Sequence, residues 1–414
     1  MSESADVVVV GAGLAGLSCA RVLSSRGLEV RVLEADDAVG GRVRTDHLDG
    51  FTLDRGFQVL NTAYPALRDM VSLDGLDLRA FDSSVSVLLG GEHVLIGNPV
   101  RDIRSSGSTL RVPVGGFTGK AAVGMYVGWC VALPGTSIKR RPDLSSAAAW
   151  RRANIPPDVV NGILRPFFSG VLLEQDMSTS RRFTDLMVRM FARGLSTVPA
   201  GGMQRLPEQI AGLLPAGTVR LGSHVHRLDS SHVVSTDGPV SARAVVVATD
   251  AWTARRLLPG LRDAPPPRGV TTVYHSALPF PEASGRLLLD ADSSPVANSI
   301  AISAAAPEYA PADRMLVSTS MVHGSVPEDL DGPTMRAALG RLHRTDTSSW
   351  ELVATYHLPR ALPGMPAPHR MRKPVRLGGR ETVYVAGDHR DTSSIQGALV
   401  SGRRTAHAVL QDLG

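Results

Sequence analysis

The 414-residue sequence predicts an α/β fold, with one parallel-sheet domain assembled from separated parts of the chain and a second domain of mixed sheet plus helices. Three observations carry that prediction. The apolar run Val7–Val10 leads directly into Gly11-Ala-Gly-Leu-Ala-Gly16. A second short apolar stretch, Glu29 to Leu33, ends at Glu34. Apolar strands of the same kind return late, at Ala244–Ala248 and Val383–Val385, after long stretches of different character.

Each early element has a local reason. Four consecutive valines suit a strand buried on both faces, as in a parallel sheet, rather than the alternating pattern of a half-exposed one. The glycines follow where a helix begins, from about Leu14 to Gly27. Gly11 permits the tight turn, Gly13 lets backbone approach a pyrophosphate, and Gly16 lets the helix pack close to the strand. The helix N-terminus, with Leu14 and Ala15 in its first turn, then faces the phosphates. Glu34, with Ala35 beside it, lies roughly 20 residues beyond the fingerprint, where a carboxylate accepts hydrogen bonds from ribose hydroxyls and disfavours a 2′-phosphate. This is a Rossmann-like, adenine-dinucleotide pattern.

The remaining elements place the boundaries. Residues from about Ser83 to Leu195 mix strand-like and helix-like pieces, including helices at Ala121–Leu133 and Ser145–Ala153. Parallel-domain character resumes with Pro199-Ala-Gly-Gly-Met-Gln204, a helix through Leu214, and strands at Val219–Leu221, Val225–Leu228, Val233–Thr236 and Ala244–Ala248. Pro265-Pro-Pro-Arg-Gly269 reads as a linker. Beyond it, Val270–Leu278, Leu287–Leu289, Met315–Met321 and Glu351–His357 read as strands of a second sheet, with a helix at Thr334–Leu342. A final strand ends in Gly387-Asp388, and a helix runs from about Ser394 to Leu410. The dinucleotide domain is thus assigned residues 1–80, 196–262 and 372–414, and the second domain 81–195 and 263–371.

Composition narrows the class. At 43% hydrophobic and 20% charged the chain is globular, and it is long enough for two cores. Cys19 and Cys130 are too few for a disulfide framework, and no apolar leader opens the sequence, so a cytoplasmic setting is expected. The formal charge is +5, but arginines are scattered and not interleaved with aromatics, which excludes a nucleic-acid surface. Ala121–Leu133 is too short to span a bilayer. It fits a core helix, or a helix resting on an anionic membrane surface with Lys139, Arg140 and Arg141 beside the headgroups.

The motifs taken together resemble the flavin-containing superfamily that includes protoporphyrinogen oxidases, phytoene desaturases and carotenoid isomerases, and flavin amine oxidases. The residues are Gly11–Gly16, Glu34-Ala35, Gly40-Gly-Arg-Val-Arg-Thr45, Asp54-Arg-Gly-Phe-Gln58, Pro199–Gln204, Val385-Ala-Gly-Asp388 and Ser394-Ile-Gln-Gly-Ala-Leu-Val-Ser-Gly402. The resemblance implies FAD as cofactor. It implies that Gly40, Gly41 and Arg42 lie along the pyrophosphate and flavin, that Gly56, Phe57 and Gln58 sit near the isoalloxazine ring, and that the backbone of Val225 contacts adenine. Gly387 and Asp388 would meet the ribityl or pyrophosphate region. The helix beginning at Ile395, with Gln396 and Ala398 in its first turn, would aim its N-terminus at the flavin pyrimidine edge, where charge collects on reduction.

No catalytic side chain is assigned. Relatives that oxidise amines carry a lysine near the flavin, yet the strand at Val270–His275 contains none, and Ser394 and Ile395 stand where an aromatic is expected. His224 and His226 share a strand face without further ligands, so no metal site is expected. Tyr274 and His275 read as packed sheet residues, with the pocket floor as the other placement. His389 and Arg390 either reach the cofactor or an acidic substrate or lie in a solvated loop. Arg165-Pro-Phe-Phe-Ser-Gly-Val-Leu-Leu173 suits the core of a helical cap, or else a hydrophobic substrate channel. The resulting expectation is an FAD-dependent oxidoreductase that removes a hydride from an apolar or cyclic small molecule, by C–C or C–N desaturation, with oxygen or a quinone as acceptor. Two alternatives are an isomerase of a polyene-type substrate without net redox change and a non-catalytic flavin-binding protein.

Overall fold

The computed structural model of the chain describes residues 3–97, 114–261, 264–292, 295–322, 326, 329–377 and 380–414. The first sheet is built from strands at Val219–Arg220, Val30–Leu33, Glu3–Val10 and Gly238–Val247, in that order. Gly238–Val247 then pairs with two branches, the antiparallel His232–Ser235 and Val225–Leu228 at one end and the parallel Arg380–Val385 at the other. The Val7–Val10 run explains why this sheet is sandwiched. Val7 and Val9 enter a core shared with the helices Leu14–Ser24 and Ile395–Leu413, whereas Val8 and Val10 enter a second core with Val225, Val233 and Leu257. Both faces of the strand are therefore removed from water.

The first helix stops at Ser24, short of the expected Gly27, which instead takes φ +83° in the turn to the next strand. Its close partner is the last helix, for a Cβ on Gly402 would stand 2.1 Å from the Ala15 carbonyl oxygen.

The second sheet runs Glu351–Pro363, Pro267–Ala277, Met315–Val322, Asn298–Ala301, Leu287–Asp290, Val85–Leu89 and Glu92–Ile96. One face packs on the helix Pro333–His343 through Val273, Val317 and Met321. The other faces a cavity roofed by the helices Gly116–Ala132, Arg165–Leu172 and Arg181–Arg193.

Two expectations are corrected here. Pro265–Gly269 is not a free linker, because Pro267 and Arg268 already pair with Pro363 and Leu362. Pro267 opens its strand, a position where the missing N–H costs no ladder bond. The Glu351–Pro363 strand also continues past His357 through two prolines, which its place at the sheet edge permits. The expected domain boundary at 262–263 lies outside the described residues. Cys19 and Cys130 are free and buried.

Burial holds three histidines neutral, His343 pushed down to about 3 and His369 and His389 to about 4. Each folded-state value lies below the ordinary value near 6.5, so the unfolded chain takes up protons that the native chain refuses. That stability is present above pH 6.5 and is lost as pH falls toward 4. Asp54 works the other way, since burial pushes its carboxyl up to about 6, and its contribution is lost as pH rises through that value. Burial raises Asp185 and Asp391 as well and lowers His275, so the histidines still outnumber the carboxyls. Stability is therefore expected to fall on acidification from pH 7 to pH 5, by on the order of 1–3 kcal/mol per pH unit. A urea midpoint that does not move between pH 7 and pH 5 would contradict this.

Candidate functional site

One cavity of about 1380 Å³ runs from Glu34, at the C-terminal edge of the first sheet, to the face of the second sheet. It exceeds the roughly 300–1,000 Å³ of a typical small-ligand pocket, so it has room for a large ligand and a second molecule.

The dinucleotide end is built from turns. Gly11, at φ +102°, brings the chain against the Ala248 carbonyl, and a Cβ there would lie 3.2 Å from it. Gly13 and Gly41 face each other across the cavity wall, where a Cβ on Gly41 would come 3.5 Å from the Gly13 Cα. Leu14 and Ala15 line the cavity at the start of a helix whose N-cap is Gly13, with no side-chain cap and no acidic residue in its first turn. Its first amides are thus left to a ligand. Gly16 lies behind this wall: a Cβ on it would stand 1.9 Å from the Gly11 carbonyl oxygen, which is the strand–helix contact expected of it.

Glu34 and Ala35 line the cavity at the end of the second strand. The Glu34 carboxylate accepts hydrogen bonds from the Ala12 amide (2.6 Å) and the Asp36 amide (3.0 Å). Two acceptors of this kind leave lone pairs for a diol. Gly40, Gly41 and Arg42 follow. Gly40, at φ +123°, admits no side chain, because a Cβ would stand 2.2 Å from the Val43 carbonyl oxygen. Arg42 reaches across to Asp388, 2.7 Å away, so the first and last motifs meet in space.

Gly56, Phe57 and Gln58 line the middle of the cavity. Gln58 donates from Nε2 to the Arg42 carbonyl (2.9 Å) and is thereby fixed to the Gly40–Arg42 segment. Opposite Gly56 stand Leu358 and Thr272 of the second sheet, at 2.9 Å and 4.0 Å from where its Cβ would be. Gly387, Asp388, Ile395 and Ala398 close this part of the wall. The last helix is capped by Ser394, whose hydroxyl accepts from the Gly397 amide (3.1 Å).

Besides Gly16, two expected residues do not line the cavity. Val225 turns its side chain into the second core, and its neighbour His224 lines the cavity instead. The Gln396 carboxamide points away and accepts from the Ala66 amide (2.9 Å).

The structure decides the open placements. Tyr274 and His275 are packed sheet residues: the Tyr274 hydroxyl donates to the Asp54 carbonyl (2.8 Å), and His275 contacts Asp331 (3.0 Å) from the opposite face. His389 and Arg390 are buried, neither solvated nor lining the cavity. The His389 ring fills the space a Gly387 side chain would need, 2.4 Å from the Cβ position, and Arg390 bonds the Pro374 carbonyl. His224 and His226 stack with their Nδ1 atoms 3.2 Å apart. Among the described residues no group of three His, Cys, Asp or Glu could hold a metal ion.

The cap resolves more subtly. Leu172 is core, yet Phe167, Gly170 and Val171 of the same helix line the cavity and the buried Phe168 reaches it as well, so core and channel are two sides of one element. Gly116–Ala132 is not a buried core helix. Ala122 and Cys130 are buried, Val123 and Val127 line the cavity, and Phe117 (85% exposed) and Met125 (71%) face outward. An apolar residue suits each environment for a different reason, hence an apolar sequence without a polar face. No helix among the described residues is long and apolar enough to cross a membrane.

Sequence reasoning missed Thr249 and Asp250, which line the cavity just after the Gly238–Val247 strand. Ligand sites lie beyond the carboxyl ends of parallel strands, and that signal was available. It also missed Asn298 and Ser320, which no motif marks.

A family model described as flavin containing amine oxidoreductase matches residues 14–410. An L-amino-acid oxidase of Sistrurus catenatus edwardsii is 35% identical over 130 residues, which are 30% of this chain and 24% of that protein. The chain thus spans about a quarter of the length of that relative (24%). The cyclohexylamine oxidase of Brevibacterium oxydans IH-35A superposes with a TM-score of 0.73 at 17% identity, covering 99% of both chains. A triple mutant of putrescine oxidase superposes at 0.75 and 20% identity, covering 99% of this chain and 100% of that one. These likenesses bear out the α/β fold with its discontinuous Rossmann-like domain and the expectation of a flavin.

Proposed function

The chain belongs to the flavin containing amine oxidoreductases, and on that premise we propose that it is an FAD-dependent oxidoreductase that removes a hydride from an apolar or cyclic small molecule and passes the electrons to oxygen or a quinone. The observation that carries this reading is the single cavity joining a dinucleotide cradle to an apolar channel. When bound, FAD supplies the hydride acceptor. Glu34 would hold the adenosine ribose and the open amides of Leu14 and Ala15 would face the pyrophosphate, while Gly56 lets the chain pack against Leu358 of the second sheet. The sheet positions nearest Gly56, Thr272 and Leu358, carry no ionisable group. The chain therefore contributes orientation and exclusion of water rather than a base at that face. Lys120, the lysine that lines the cavity, stands on the roofing helix rather than on this sheet face.

The test is anaerobic mixing of the flavin-loaded protein with porphyrinogens, polyenes and cyclic amines. Bleaching of the oxidised flavin by an apolar member supports the proposal. Product formed by pre-reduced protein with no net electron change would replace it with isomerisation, and a protein that takes up no FAD would end both. Glu34→Ala is expected to weaken FAD binding by about 1.5–3 kcal/mol for each charge-assisted hydrogen bond lost, read by equilibrium dialysis. Contact of the cap with a membrane surface is supported by the exposed Phe117 and Met125, and co-sedimentation with anionic vesicles tests it.

A further inference from the structure

Three arginines from separate elements line the cradle end of the cavity. Arg42 stands on the Gly40–Arg42 turn, Arg256 on the helix Ala251–Leu257 and Arg360 on the edge strand Glu351–Pro363. Arg42 ties the group together. Besides its ion pair with Asp388 (2.7 Å), it donates from Nη1 to the carbonyl of Ala361 (2.7 Å), the residue after Arg360. The Arg360 guanidinium lies over the Trp252 ring, 5.5 Å from its centroid. Trp252 and Arg256 stand at i and i+4 on their helix and are neighbours on one face. Stacking on Trp252 therefore places Arg360 on the side of the helix that carries Arg256.

Three nearby carboxylates are already engaged. Asp388 pairs with Arg42, Glu34 accepts from the Ala12 and Asp36 amides, and Asp250 caps the helix by accepting from the Trp252 (2.9 Å) and Thr253 (3.0 Å) amides. Among the described residues Arg256 and Arg360 make neither an ion pair nor a hydrogen bond, and both are exposed. Two like charges on one rim without a counter-charge repel, and a bound anion relieves that repulsion. The planar guanidinium fork matches the paired oxygens of a phosphate. With Arg42 neutralised by Asp388, the two unpaired charges of the rim equal those of a dinucleotide pyrophosphate, which carries one on each phosphate.

We propose that Arg256 and Arg360 clamp the FAD pyrophosphate from the solvent side, opposite the amides of Leu14 and Ala15, and so set how slowly the cofactor leaves. Neither side chain takes part in bond making. The clamp rests on the reading of the cradle as the FAD site. Salt screens exposed charges far more than buried ones, so retention through this pair is expected to weaken with ionic strength, unlike the hydrogen bonds of the buried Glu34.

Release of FAD from the loaded protein makes the test, read as flavin passing an ultrafiltration membrane at timed intervals in about 0.05 M and about 0.5 M sodium chloride. The parent is expected to release FAD faster in the higher salt. Arg256→Gln combined with Arg360→Gln is expected to release it about three- to thirtyfold faster in the lower salt, to lose most of the salt dependence, and to melt like the parent when both are free of flavin. Arg256→Lys combined with Arg360→Lys keeps both charges and is expected to keep the salt dependence. Arg255→Gln removes an exposed arginine of the same helix that does not line the cavity, and is expected to leave release unchanged. Parental release from the double glutamine variant, undiminished salt dependence in it, or equal acceleration by Arg255→Gln and Arg256→Gln overturns the clamp and leaves the FAD reading standing. A parent chain that takes up no FAD overturns that reading and the clamp with it. Should the double variant melt lower than the parent, the single variants are compared by the same criteria.

Discussion

Gly16→Ala is expected to unfold the dinucleotide cradle, with a lowered melting temperature and loss of bound flavin together. The added Cβ would stand 1.9 Å from the Gly11 carbonyl oxygen and 3.3 Å from the Ala248 Cβ. Neither neighbour can yield, because the Gly11 amide donates a hydrogen bond to the Leu33 carbonyl (2.8 Å) and the Ala248 amide donates one to the Val10 carbonyl (2.8 Å). The helix must move off the sheet, and overpacking of this kind costs about 1–3 kcal/mol or more. Gly13→Ala is the informative contrast. Gly13 has an ordinary φ of −70°, and the nearest atom to its Cβ position is 3.9 Å away, so the chain is expected to fold with an unchanged melting temperature. Its methyl group would nevertheless project into the cavity wall and weaken flavin binding. If both variants melt like the parent, the packing argument fails. If Gly13→Ala binds FAD as well as the parent, the placement of the pyrophosphate fails.

The second large effect is expected at Asp54, which connects the cradle to the second sheet and its flank. Its carboxylate accepts from the Thr45 hydroxyl (2.6 Å), the Met203 amide (2.8 Å) and the Tyr309 hydroxyl (2.8 Å), and its carbonyl accepts from Tyr274 (2.8 Å). Thr45 and Met203 belong to the cradle side, Tyr309 and Tyr274 to the second sheet and its flank. Asp54→Ala leaves three buried donors without their acceptor. The loss is about 3–5 kcal/mol, taking about 1–3 kcal/mol for each orphaned group and allowing for relaxation. The next residues, Arg55, Gly56 and Phe57, line the cavity, so flavin retention is expected to drop with stability. Asp54→Asn keeps the volume and one acceptor oxygen and should lie between the two. A melting temperature within a degree or so of the parent for Asp54→Ala would show that the cradle and the second sheet are held together elsewhere.

The two variants also mark where the sequence was readable. Gly11, Gly13, Gly16 and Glu34 could be placed in advance because their job is local. A strand, a turn and a helix start fall within one continuous segment, and backbone sterics alone decide which positions exclude a side chain. Arg42 and Asp388 could be assigned to one ligand by resemblance, but their ion pair could not be read from residues so far apart in the chain. Asp54 stood in a motif of the resemblance, but its bridging role could not be read from it, for it sits at the end of an ordinary short strand and its partners Met203 and Tyr309 are distant in sequence. The Gly116–Ala132 helix was misjudged because an apolar sequence does not reveal which of its neighbours is protein, cavity or surface.

The sequence by itself determined the α/β class, the return of the chain to the first sheet, and the flavin, since these rest on backbone geometry and on hydrophobic runs that only a doubly covered sheet can bury. The tertiary structure alone decided the second-sheet side of the cavity. Asn298, Ser320 and Thr272 lie on three strands and become one polar row only through strand register, a property of pairing between distant segments that no single stretch of sequence contains.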